Sequence, residues 1–166
     1  MKTGHRRLSR EIALQCLFQH APGGGLSPKD SFALFTSSFA PGGEEEASLE
    51  CERDAFDAAL PFAWELFSGV AEHFEELSRL LEQASENWRL DRMSRVDRSI
   101  MLMALFEMKF REDIPPKVSL NEAIDLGKQY GTEDSGAFIN GVLDRIHRYM
   151  IAADRKPGDS DTEPAE

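Results

Sequence analysis

Apolar residues recur along most of this chain at helical spacing. Near the start, Leu8, Ile12 and Phe18 fall with Gln15 close to one face, and Ala13, Cys16 and Leu17 widen it, predicting an amphipathic helix from about His5 to His20. "APGGGLSPKD" interrupts the pattern, a short stretch with Phe32, Phe35 and Phe39 follows, and "APGGEEEAS" interrupts it again. Phe62, Leu66, Val70, Phe74, Leu77 and Leu81 predict a third helix. Pro61 fits its first turn, where no N–H is needed, or else kinks a longer helix beginning near Leu49; the first-turn reading is preferred. From Ser99 to Phe106 the chain is apolar almost all round, which predicts a central helix covered on every side.

After the Pro115-Pro116 connection, Ser119 and Glu122 have the spacing of a capping box, with Val118 and Ala123 placed as a hydrophobic staple. That helix is expected to run to about Tyr130 and stop at Gly131. Asn140-Gly141 then poses a question, because Asn-Gly between apolar runs is a strong hairpin signal. Strand alternation would put Ala137, Ile139, Val142 and Asp144 on one face, mixing core with solvent. Phe138, Val142, Ile146 and Tyr149 instead form a near-helical stripe, and Thr132, Glu133, Asp134 and Ser135 supply oxygens and negative charge for a first turn. A helix is therefore expected through the pair. Gly141 costs it roughly 1 kcal/mol relative to Ala, so either close packing compensates, the preferred reading, or the glycine is merely tolerated. The fold class is all-α, with no strand required: one domain over 1–153, in which 21–59 is loop-rich, then an acidic tail over 154–166 expected to be disordered.

Composition narrows the class. A chain of 166 residues with 41% hydrophobic content buries one core or two small bundles sharing an interface. Cys16 and Cys51 belong to no motif and read as buried free thiols of a reducing compartment, so the cytoplasm is the expected location. No apolar stretch reaches the roughly 18 residues of a membrane span.

The net charge of −11 argues against a general nucleic-acid binder, but the charge is uneven. "MKTGHRRLSR" holds Lys2, Arg6, Arg7 and Arg10 and no acid, whereas "EEEASLECERD" and the tail are acidic. Cations at a helix N-terminus oppose its dipole by up to about 1 kcal/mol each, so an external anion is one explanation of the cluster and an exposed arm without a partner the other.

Catalytic chemistry finds no footing. The four histidines show no ligand spacing with Cys or carboxylate, "PGGGLSP" follows a helix and lacks the Lys-Ser/Thr of a phosphate loop, and Asp134 and Ser135 read as capping residues with no His near them in sequence. No metal, cofactor or nucleophile is expected, and the chain does not read as an enzyme.

Three stretches together resemble the family of the transcription antitermination factor NusB. "RRLSREIALQCLFQ" is similar to its Arg-rich opening helix, "VDRSIMLMALFEM" to its central helix, and "IPPKVSLNEAIDLGKQYGTEDSGAFINGVLDRI" to its C-terminal signature. The likeness spans 5–20 and about 60–150. It implies a fold of two small helical bundles with about seven helices, and a non-enzymatic role: binding boxA-type single-stranded RNA of nascent ribosomal transcripts with the ribosomal protein NusE, within the elongating RNA polymerase complex.

Carried onto this chain, the resemblance assigns RNA contacts to Lys2, Arg6, Arg7 and Arg10 and to Asp134, Ser135 and Phe138 at the last helix's start. Guanidiniums suit phosphate, free amides suit anions, and an aromatic ring stacks on an unpaired base, although Phe138 equally suits a core. Leu8 stands where a third consecutive Arg is common, and Gly136-Ala137 lack a basic residue found in some members. Asp91 and Asp97 read as an acidic face for a basic partner or as a solvated surface. Some members dimerise, so a homodimer stays open. Two other readings remain: the NusB-like domain that accompanies ribosomal-RNA methyltransferases, which would need a further Rossmann-like domain that this chain is too short to hold, and a helical module that binds protein alone.

Overall fold

The computed structural model describes residues 3–20, 23–42, 51–85 and 93–154; Lys2, Asp91, most of the acidic run after Gly42 and the tail expected to be disordered lie outside them. The described residues form seven helices and no strand: α1 (Thr3–Gln19), α2 (Pro28–Ser38), α3 (Arg53–Glu72), α4 (Phe74–Ala84), α5 (Arg95–Phe110), α6 (Pro116–Tyr130) and α7 (Ser135–Asp154). None is long and apolar enough to cross a membrane.

The chain is all-α, as its periodicity predicts. α1, α2 and α3 form one group and α4 to α7 a second, with α5 packed against α1, α3, α4, α6 and α7. That position explains its composition. Ser99 through Glu107 are buried without interruption, so no polar face is left on that stretch.

α1 meets α3 along small residues, with Ser9, Ala13, Ala59 and Ala63 all fully buried. The Ser9 hydroxyl reaches the carbonyls of both His5 and Ala59 at 2.8 Å, which ties the two helices at their crossing. The inner side of α1 is Ile12, Ala13, Leu14 and Cys16, whereas Phe18 is 43% exposed, beneath the Arg95 guanidinium. Burial pushes the Cys16 thiol up to about 12; Cys51 is also free but only half-buried, not buried as expected.

Several boundaries differ from expectation, each for a local reason. Pro61 lies in the interior of α3, not in its first turn. It sits on the exposed side, where water can serve the carbonyl its missing N–H leaves behind, while Phe56, Ala59, Phe62, Ala63, Leu66 and Phe67 bury the opposite side. The expected third helix is two, divided at His73, whose ring stacks on Phe110 at 4.1 Å.

Ser119 is not an N-cap. α6 begins at Pro116, whose preset φ and absent N–H suit a first helical position, so Ser119 falls inside the helix at 1% exposure. Val118 is 43% exposed and forms no staple with buried Ala123.

The helix does run through Asn140-Gly141. Its buried residues are Ser135, Gly136, Ile139, Val142, Leu143 and Ile146, so Val142 and Ile146 of the predicted stripe are buried, whereas Phe138 is half-buried and Tyr149 59% exposed. Gly141 is not a packing contact: it is exposed, and a Cβ there would meet nothing within 4 Å. Close-packed helical glycines lie elsewhere: a Cβ on Gly69 would run into the Phe106 ring, and one on Gly127 would lie 2.6 Å from Ile139 Cδ1.

Candidate nucleic-acid interface

The opening helix supplies the cations, and the fold gives each of its arginines a carboxylate. Arg10 points inward, with its side chain 4% exposed; Nε donates to Glu107 Oε1 of α5 at 2.7 Å. Arg7, three residues back and 43% exposed, directs Nε and Nη2 at the two Glu122 oxygens of α6, both at 3.1 Å, and Nη2 also at Asp125 Oδ2 at 2.8 Å. Arg6 reaches Asp113 at 3.3 Å in the α5–α6 connection.

A further arginine joins them. Arg111, the residue that closes α5, pairs with Asp113 at 2.9 Å and with Glu65 of α3. Arg6, Arg10 and Arg111 place their guanidinium carbons 5.1, 5.6 and 5.2 Å from the centre of the Phe62 ring, so one buried aromatic of α3 collects three cations.

These partners correct the electrostatic argument. The cations need no external anion to explain them, because α5, α6 and the loop between them supply acids from far along the sequence. Burial pushes the Glu107 carboxyl up from its usual range, against the pull of Arg10; the Ser119 hydroxyl lies nearby without meeting hydrogen-bond geometry. Hydrogen bonds from Arg111, then Arg6, hold the Asp113 carboxyl down at about 2. Glu122 and then Asp125 raise the Arg7 guanidinium above its ordinary value.

The start of α7 is fixed by its own turn. The Thr132 N–H donates to the Ser135 hydroxyl at 2.9 Å, and the Asp134 carbonyl accepts from the Phe138 N–H at 3.1 Å. Ser135 is 1% exposed, so its hydroxyl holds the turn and does not face outward. Gly131 is required there: its φ is −91°, within reach of any residue, but a Cβ would come 2.3 Å from the Ser135 hydroxyl. Asp134 is exposed, and half-buried Phe138 packs against the core.

α6 joins the two halves of the site. Asp125 faces Arg7, and one turn on, roughly 4.5 Å along the axis, the Lys128 stem lies against Gly136 of α7. The arginines of α1 and the first turn of α7 thus flank one stretch of α6. Asp97, by contrast, is 7% exposed in the first turn of α5, where the helix dipole favours its charge, so it does not form an open acidic face. Glu122, Asp125, Lys128 and Arg111 have no place in the sequence-derived site. The signal available for the first three was their i, i+3 spacing on α6, but the sequence does not say which helix that side meets.

The family profile described as the NusB family matches residues 7–148, which spans α1 through most of α7. The chain belongs to the NusB family. The transcription antitermination protein NusB of Myxococcus xanthus is 45% identical over 86% of this chain and 94% of its own length. NusB of Desulfosudis oleivorans is 44% identical over 87% of this chain and 86% of its own. Among solved structures, T. maritima NusB superposes with a TM-score of 0.67 at 32% identity, covering 89% of this chain and 93% of that one. NusB from Aquifex aeolicus shares the fold at a TM-score of 0.69 and 23% identity, covering 98% of this chain and 99% of its own. The chain is accordingly a transcription antitermination protein and not an enzyme.

Proposed function

We propose that this NusB-family chain acts on boxA-type single-stranded RNA in nascent ribosomal transcripts, in the cytoplasm, together with the ribosomal protein NusE and the elongating RNA polymerase complex. The observation that carries the reading is the shared stretch of α6: partly exposed guanidiniums of Arg6 and Arg7 on one side, and the first turn of α7 with Asp134 and Phe138 on the other. A single strand laid across it meets cations for its phosphates and an aromatic edge for a base. Lys2 belongs to the same cationic stretch of the sequence and lies outside the described residues. Arg10 acts in this reading as a positioning residue, because its side chain is buried on Glu107 and it anchors the helix that presents the other two.

Fluorescence anisotropy with a boxA-like oligonucleotide and a scrambled one, each with and without the basic ribosomal partner, tests it. The boxA-like strand is expected to bind more tightly, and more tightly still with the partner, since a molecule of net charge −11 attracts RNA poorly at long range. Replacing Arg6 and Arg7 with Ala should weaken binding and flatten its salt dependence by roughly 0.7 in slope per lost phosphate contact. Equal affinity for the two strands, with no gain from the partner, overturns the proposal.

A further inference from the structure

We infer that Glu122 and Asp125 of α6 are an internal stand-in for phosphate, a closed pair on Arg7 that RNA must displace. This rests on the RNA reading above and concerns how that site is gated. The Nε–Nη2 side of a guanidinium is one that takes an oxyanion through two parallel bonds, and in Arg7 both donors are already engaged: Nε and Nη2 on Glu122 at 3.1 Å each, with Nη2 also on Asp125 at 2.8 Å. The two oxygens of the Glu122 carboxylate therefore occupy the position that two phosphate oxygens would take, and Asp125 adds a further acceptor on Nη2.

The pair is built to open. Arg7 and Asp125 are 43% and 50% exposed, so water reaches both when they part and that contact holds weakly, while Glu122, 19% exposed, keeps a second cation in Arg10 Nη1 at 3.9 Å when Arg7 leaves it. The neighbouring Arg10–Glu107 pair has side chains 4% and 2% exposed and has no such freedom, because separating it strands two charges in the core. Around Phe62 and α6, Arg6, Arg7, Arg10 and Arg111 face Glu65, Glu107, Asp113, Glu122 and Asp125. In the free protein the arginine cluster is thus fully countered by its own acids. A polyanion gains little by approaching it until Arg7 changes partners, and the same carboxylates that order the guanidinium set the affinity threshold.

Asp125→Asn is the deciding variant, since it keeps the shape, removes one acid from Arg7 and lies half exposed; unchanged circular dichroism and melting temperature verify the fold. At fixed salt it is expected to bind the boxA-like strand about two- to fivefold more tightly, the size of a surface pair released. Glu122→Gln should act in the same direction. Asp144→Asn on α7, which removes the same charge from an unrelated pair with Arg148, controls for net charge and should give a smaller gain. In an Arg7→Ala background the gain from Asp125→Asn should vanish. Unchanged or weaker binding by Asp125→Asn, or an equal gain without Arg7, overturns the gate while leaving the RNA reading intact. If Arg7→Ala alone binds as well as the parent, the RNA reading fails at Arg7, and the gate fails with it.

Discussion

Arg10 and Arg7 stand less than one turn apart on α1, carry the same charge and each meet a glutamate, yet they belong to different physical regimes. Arg10 and Glu107 are almost wholly buried, and the favourable part of that pairing was largely consumed in removing two charges from water. Arg7 and Asp125 remain in contact with solvent, where both keep much of their hydration and the bond contributes about 0–1 kcal/mol; Glu122, 19% exposed, lies between the two regimes. The inner pair fixes where α1 sits against α5. The outer pair decides what the exposed guanidinium is free to bind. A motif of closely spaced arginines therefore divides, by depth alone, into a structural residue and an exchangeable one.

The sharpest way to break the comparison is at its inner end. Glu107→Ala leaves the Arg10 guanidinium buried without its counter-charge and is expected to cost about 3–5 kcal/mol in urea unfolding, whereas Asp125→Ala, at a half-exposed pair, should cost no more than about 1. Replacing Arg10 with Met and Glu107 with Leu together should restore most of the loss; if it does not, the inner pair contributes more than the penalty of leaving one charge alone.

The same contrast of depth holds for two mid-helix glycines. Gly69→Ala drives a methyl group into the Phe106 ring and should destabilise by about 1–3 kcal/mol despite the better helix propensity. Gly141→Ala enters open space and should stabilise by roughly 0.5–1 kcal/mol, read as a higher melting temperature.

The smallest effect is a pH dependence at the outer edge. Asp113 is held at about 2, below its ordinary 3.8, so its contribution is present above the ordinary value and lost as pH falls from about 4 towards 2. The stability difference between the parent and Asp113→Asn should close over that window. Glu107 runs the other way: its carboxyl is raised, so the penalty on its charged form is relieved as pH falls through the folded value. A parent-minus-variant difference for Asp113→Asn that stays constant across the window would remove Asp113 from the account.

Periodicity alone determined that the chain is helical, that Ser99 to Phe106 is covered on all sides, and that a helix passes through Asn140-Gly141, because burial of an apolar stripe outweighs the turn preference of two residues. The resemblance of three segments was enough to name the family, and the cationic character of α1 was plain in the first ten residues. Other features were settled only in three dimensions. Whether Pro61 or Gly141 faces solvent depends on which side of α3 or α7 meets a neighbour, and local spacing is silent on that choice. Pairing on α1 is likewise non-local: Glu107, Asp113, Glu122 and Asp125 lie about a hundred residues beyond the arginines they hold. The dipole of α1 taken in isolation leaves those arginines either to an external anion or to an exposed arm without a partner. Packing α1 against α5 and α6 supplied the counter-charges, and the depth of each contact, a property of the assembled fold, separated the anchored arginine from the exchangeable one.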